Sequence, residues 1–477
     1  MPAPISVLAP AQEWGVENAK RNNASVHVGT SDNCAGTEEV QDDIVGAKVE
    51  GFPDFGHNMK KYWPVTNYLN LNHASLGSTP TCVIEAKMNM LWQMNTRLDP
   101  WDRRHVEPRQ TAVHEQVAPL LGTVREHVVI MMNTRHAINT IVYNIKFEPG
   151  DIIVMYTTTF TPIQETIKCV CDRDEGVRIE VIDVTFPCAH SELVEATDAV
   201  LHKYNKPTGA TRGGDRPPVP QGVGVGTERV RLVLMDGISC VPGVISPWED
   251  ITRLRHKYGA LSLVDGAHLI GQQIVDVKKA DPDFLVSNMH KWLYTHLSNA
   301  VAYVAPRNHS LIHTSFPTGF TYESDKYPRP VQLLPTVDVS SYLTIPVALK
   351  FRRDIGGEER IIAGGKRLVK RWSTSILENE HGELTACMIN AELPIAVPTD
   401  AGEQRQMELF MEDMLMEADI FTPMSVHNRK WYTRVSGQVW VELSDFDVLG
   451  DAYDEVAEAV RRGEHLHERP PLSIIND

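Results

Sequence analysis

Seven apolar runs of strand length punctuate the first two-thirds of this chain: His127–Met132, Asp151–Met155, Val177–Ile182, Val230–Asp236, Leu261–Asp265, Phe284–Ser287 and Asn299–Val304. Stretches of helical periodicity, such as Ala137–Lys146 and Pro162–Cys171, separate most of them. A strand that is apolar on both faces must be covered on both, and alternation with helices supplies that cover through crossover connections. The expected fold class is therefore α/β, with a mostly parallel sheet. Beyond about Pro330 the pattern changes to long helical segments around Ile345–Asn379 and Gly402–Ala418, with strands near Met388–Leu393 and Gln438–Leu443. This predicts a large domain at residues 51–330 and a smaller C-terminal α+β domain at 331–477. Residues 1–50, polar and without apolar periodicity, read as a disordered arm. Residues 205–228, which include Gly213-Gly214-Asp215-Arg216-Pro217-Pro218, read as a flexible insertion.

Composition narrows the function classes. The formal charge of −16 opposes a nucleic-acid partner, because phosphate neutralisation needs a basic face. No apolar run reaches the ~18 residues of a membrane span. The N-terminus lacks a secretory pattern and the seven cysteines are an odd number, so a cytosolic compartment is expected. Cys169 and Cys171 have no second ligand pair at zinc spacing, which leaves no metal site in view.

Ligand-handling groups in open α/β sheets collect at the carboxyl ends of the strands. One run ends in Asp265-Gly266-Ala267-His268, which puts a carboxylate at a strand tip beside a glycine that permits close approach. The next ends in Ser287-Asn288-Met289-His290-Lys291-Trp292. A lysine directly after a buried strand is costly as an unpaired ammonium. Imine formation with a carbonyl cofactor removes that cost, and an aspartate facing a pyridine nitrogen keeps the ring able to accept electrons.

These two segments resemble the cofactor signature of class-V aminotransferase-family pyridoxal-phosphate (PLP) enzymes, fold type I, in the branch of isopenicillin-N epimerases and ergothioneine C–S lyases, related to the loline alkaloid cyclase. The stretches Leu69–Gly77, Val233–Gly243 and Arg434–Trp440 follow in the family's order. The resemblance implies a seven-stranded sheet, pyridoxal 5'-phosphate on Lys291, Asp265 at the ring nitrogen, and His268 and Ser239 near the ring and its phenolic oxygen. It implies a phosphate cradle of Thr134, Arg135, Ser287 and His290, with Thr336 reaching across from a second subunit of a homodimer. Arg434, with Asn72 and His73, would hold an amino-acid-type substrate by its carboxylate. Lyase-like members carry a tyrosine over the cofactor where this chain has Phe160, which can stack but has no proton to give. The resulting expectation is an external aldimine and a Cα carbanion used for epimerisation or C–C bond-forming cyclisation. A C–S lyase, an aminotransferase and a non-catalytic binding protein stand as alternatives.

Overall fold

The computed structural model describes residues 54–64, 68–206, 228–313, 337–371 and 375–467. The expected arm, most of the expected insertion, the boundary near residue 330 and Thr336 lie outside the described residues.

All seven apolar runs are strands of one sheet, in the order β2-β8-β7-β6-β5-β3-β4. They span β2 Val128–Met131, β3 Asp151–Tyr156, β4 Arg178–Ile182, β5 Arg229–Asp236, β6 Leu261–Asp265, β7 Phe284–Asn288 and β8 Ala300–Val304. β4, β3, β5, β6 and β7 are parallel, and β8 runs antiparallel to both β7 and β2. Every residue of β2, β3, β6, β7 and β8 is buried, as strands covered on both faces require. The helix Thr134–Asn144 packs Ala137, Ile138 and Ile141 into the same apolar core as Val129, Ile153, Leu263 and Val286. Its start is fixed by Asn133, whose side chain accepts from the His136 amide at 2.9 Å.

A second core gathers residues from both ends of the chain. Met59, Trp63 and Leu71 share it with Phe351, Phe410, Met411, Trp431 and Phe446. The short strand β1, Leu69–Asn70, pairs in parallel with β10, Ile420–Phe421. Met59, Trp63 and Leu71, which the sequence pattern placed in the large domain, thus pack among apolar side chains of the C-terminal helices. Around this core β9 (Met388–Glu392), β11 (Met424–His427) and β12 (Lys430–Ser436) form an antiparallel sheet. The strand expected at Gln438–Leu443 is instead the entry to the helix Leu443–Arg461, and the strand itself lies earlier, at β12. The long helical segment expected from Ile345 is broken into Ile345–Asp354 and Gly357–Arg371. Gly356 and Gly357 sit at φ 122° and 80°, the region glycine adopts without steric cost, and they make the break.

Candidate active site

The tips of β5, β6 and β7 bring Asp236, Asp265 and the lysine segment side by side. Asp236 and Asp265 are paired in register, so their side chains leave the same face of adjacent strands. Both are buried. Asp265 accepts from the Ala267 amide at 3.0 Å. Burial and the neighbouring Asp265 push the Asp236 carboxyl well up, and one of its oxygens has no hydrogen-bond partner. Asp265 is also raised, chiefly by burial, while the backbone bond and Lys291 work against that shift. Both shifts run in the direction expected for neighbouring carboxyls in a low-polarity site.

Lys291 stands on the short helix Met289–Trp292 that follows β7. Its side chain keeps a partial opening to solvent, and its Nζ lies 3.0 Å from His268 Nε2. Desolvation, reinforced by Arg434 and Arg135, pulls its pKa down to about 8. A short segment, His73–Leu76, packs against this helix. Gly77 ends it at φ 80°, where a Cβ would overlap the carbonyl of His290. Only glycine lets the two segments touch there.

Arg434, on β12, lies close enough to act electrostatically on both Lys291 and His268. Nη1 donates to Cys240 O at 2.8 Å and contacts Cys240 Sγ at 3.1 Å. Nη2 donates to Asn72 Oδ1 and Ser75 Oγ, each at 3.0 Å. It is 5% exposed, Nε has no partner, and no carboxylate pairs with it among the described residues. The loop that carries Cys240 is pinned by Asn390 of β9, which accepts from the Gly243 amide at 2.8 Å and donates to its carbonyl at 3.1 Å.

The structure thus assembles Lys291, Asp265, His268, Arg434 and Asn72, and Arg135 lies over the Phe160 ring at 5.6 Å while acting electrostatically on Lys291. Other expected members stand differently. His73 is fully buried, edge-on to Trp292, Tyr294 and Trp440, and burial holds its pKa at about 3. It is a core aromatic rather than a substrate ligand. Ser239 donates to Pro242 O at 2.6 Å, so its only proton closes a loop. Ser287 donates to Gly266 O and accepts from the Ile270 amide at 3.3 Å, which joins two strand ends instead of a phosphate. His290 Nδ1 donates to Asn299 O at 2.9 Å, and burial lowers its pKa to about 4. Its other nitrogen is then an acceptor, unsuited to an anion. The Thr134 amide is taken by Asn288 Oδ1 at 3.0 Å. What remains for a phosphate here is Arg135 and the positive end of its helix. Sequence reasoning gave no role to Asp236, Cys240, Ser75 or Trp292. All four stood inside the motif stretches, but nothing in those stretches said which side chains turn inward.

A buried strand-tip carboxylate and a partly accessible lysine of lowered basicity suit the ring of a pyridine aldehyde. Residues 224–323 match the aminotransferase class-V family model. The chain carries a class-V aminotransferase domain. That domain makes it a PLP-dependent enzyme, with Lys291 inside the matched segment. The chain is 25% identical to the hercynylcysteine sulfoxide lyase of Schizosaccharomyces pombe, over 82% of this chain and 95% of that protein. It is 26% identical to the L-cysteine desulfhydrase-like protein lolT1 of Epichloe uncinata, over 82% and 93%, and 22% identical to the isopenicillin N epimerase of Streptomyces clavuligerus, over 81% and 94%. The fold recurs in an apo cysteine desulfurase from Thermococcus onnurineus NA1, with a TM-score of 0.66 at 17% identity over 85% of this chain and 99% of that one.

Proposed function

We propose that this enzyme labilises the Cα–H bond of a carboxylate-bearing amino acid and uses the outcome for epimerisation or for C–C bond formation. Pyridoxal phosphate, when bound, supplies an electron sink for bond breaking at the substrate Cα. Lys291 would hold it through Nζ and then move a proton at Cα. Asp265 would anchor the ring nitrogen, and Arg434, held open by Asn72, Ser75 and Cys240, would grip the substrate carboxylate as a planar fork.

The observation that carries the choice of reaction is the lack of a placed phenol at two positions. Phe160 offers an aromatic wall without a proton, and the nearby Tyr156 hydroxyl is bonded to Thr197 Oγ1 at 2.9 Å in a buried site. A departing sulfur group gains from a positioned acid by ~10²-fold or more. In deuterium oxide the loaded enzyme should exchange the substrate Cα hydrogen faster than it releases pyruvate from a cysteine S-conjugate or its sulfoxide. Pyruvate release that outruns exchange sinks this reading.

A second reading is a C–S lyase. The names of the lyase and desulfhydrase-like relatives favour it, and so does Cys240, whose thiol beside Arg434 could serve as the acid. We further propose a homodimer. Met88 and Trp92, one turn apart on the helix Thr81–Thr96, are 52% and 73% exposed, which supports a face covered by another copy. A sedimentation experiment that finds an active monomer removes it.

A further inference from the structure

We propose that Trp292 is a positioning residue which, acting through His268, holds Lys291 as a free amine ready for its carbonyl partner. The inference rests on Lys291 being the cofactor lysine.

Two contacts converge on His268. The Trp292 indole Nε1–H donates to Nδ1 at 3.4 Å, and Nε2 faces Lys291 Nζ at 3.0 Å. An indole nitrogen can only donate, so Nδ1 must be the bare, accepting nitrogen. A neutral imidazole carries one N–H, and here it has to sit on Nε2. Double protonation is opposed by burial and by the Arg434 charge, which hold His268 well below the ordinary imidazole range. Nε2–H therefore points at Lys291. An ammonium has three donors and no acceptor, so it cannot receive that hydrogen; the lone pair of the free amine can. Protonating Lys291 would force His268 into the other tautomer and cost the Trp292 bond.

The remaining groups around Lys291 do not settle its charge by themselves. Arg434 and Arg135 favour the amine, while Cys240 and Asp265 favour the ammonium. The tautomer supplies the bias, and the amine is the form that attacks a carbonyl. Trp292 is well placed to hold its direction. It is 2% exposed, its carbonyl accepts from Arg352 Nη1 at 2.7 Å, and its backbone and Cβ lie against Gly271.

The test uses the full-length chain stripped of cofactor and measures, at a series of pH values, the rate at which added pyridoxal phosphate is captured as a visible absorbance band. In wild type the rate should rise through an inflection near the lysine pKa. Trp292→Phe removes the donor and keeps the packing, so the inflection should move up by about half a pH unit, the equivalent of one weak hydrogen bond. Below the inflection, capture should slow about threefold. The same change in a His268→Ala background should shift nothing further, because the relay is already gone. If the phenylalanine variant does not fold, benzothienylalanine at position 292 keeps the indole shape without the N–H and should give the same shift. An unmoved inflection, or an equal shift in the His268→Ala background, overturns the inference. Capture of the cofactor by Lys291→Ala as an imine overturns the site assignment itself, and the two failures are therefore separate results.

Discussion

Four arginines are buried among the described residues, and two of them, Arg352 and Arg434, are treated in opposite ways. Arg352, 1% exposed, meets the Glu358 carboxylate through both Nε and Nη2 at 2.6 Å, gives Nη1 to Trp292 O, and lies 4.8 Å from the Tyr294 ring. Its charge is balanced and its donors are used. Arg434, nearly as buried, is surrounded only by neutral acceptors and keeps Nε bare. A buried charge without a counter-ion is expensive. The fold carries that cost at Arg434 alone of the two, and the cost is relieved when an anion arrives. On the proposed function, the difference separates an arginine that holds the structure from one that would take a substrate carboxylate.

That contrast can be broken most directly at Arg434. Replacement by leucine should raise KM for a carboxylate-bearing substrate by about 10²-fold, since a charge-assisted bidentate contact is lost, while thermal stability holds or improves. Steady-state kinetics beside a melting curve reads both. Arg434→Lys keeps the charge but loses the fork, and a tenfold-scale rise of about the same sign should follow with the cofactor spectrum unaltered. A KM equal to that of wild type would make Arg434 structural and erase the distinction.

Glu358→Gln tests the other side. Leaving Arg352 buried without its partner should destabilise the fold by about 2 kcal/mol, less than the loss of a fully buried pair because Glu358 is partly exposed. Denaturant unfolding measures it, and KM for substrate should stay near wild type. A smaller effect sharpens the picture of the cradle: Asn72→Ala or Ser75→Ala removes one neutral acceptor from Arg434 and should cost a few-fold in kcat/KM, about 1 kcal/mol. Matching losses from both would show that they orient the guanidinium jointly, and a double variant should then be less than additive.

The pH profile gives the mildest probe. Lys291, lowered to about 8, is protonated below that value and free above it. Cofactor capture by the stripped chain should therefore increase as pH rises through about 8 and level off beyond. A profile still climbing near the ordinary lysine value of about 10.4 would mean that the site does not depress this amine.

Much of this molecule was legible in its residues. The seven strand-length apolar runs became the seven strands with no end displaced by more than one position, because a strand covered on both faces leaves a continuous apolar signature. The tips of those strands could be read in the same way: local pattern proposed Asp265 and Lys291, the family resemblance added His268, and the fold brings the three together. What the sequence could not decide is which donors and acceptors are already satisfied. Ser239, Ser287, His290 and Thr134 carry suitable chemistry, yet each is bonded to a backbone or side-chain group brought near by folding. The inward turn of Asp236 and Cys240, the closeness of Trp292 to His268, and the pairing of residue 72 with residue 434 across 362 positions are likewise products of tertiary packing. Strand and helix periodicity is a local property written into consecutive residues. Hydrogen-bond satisfaction is not local, because a partner can come from anywhere in the chain, and only the folded structure determines it.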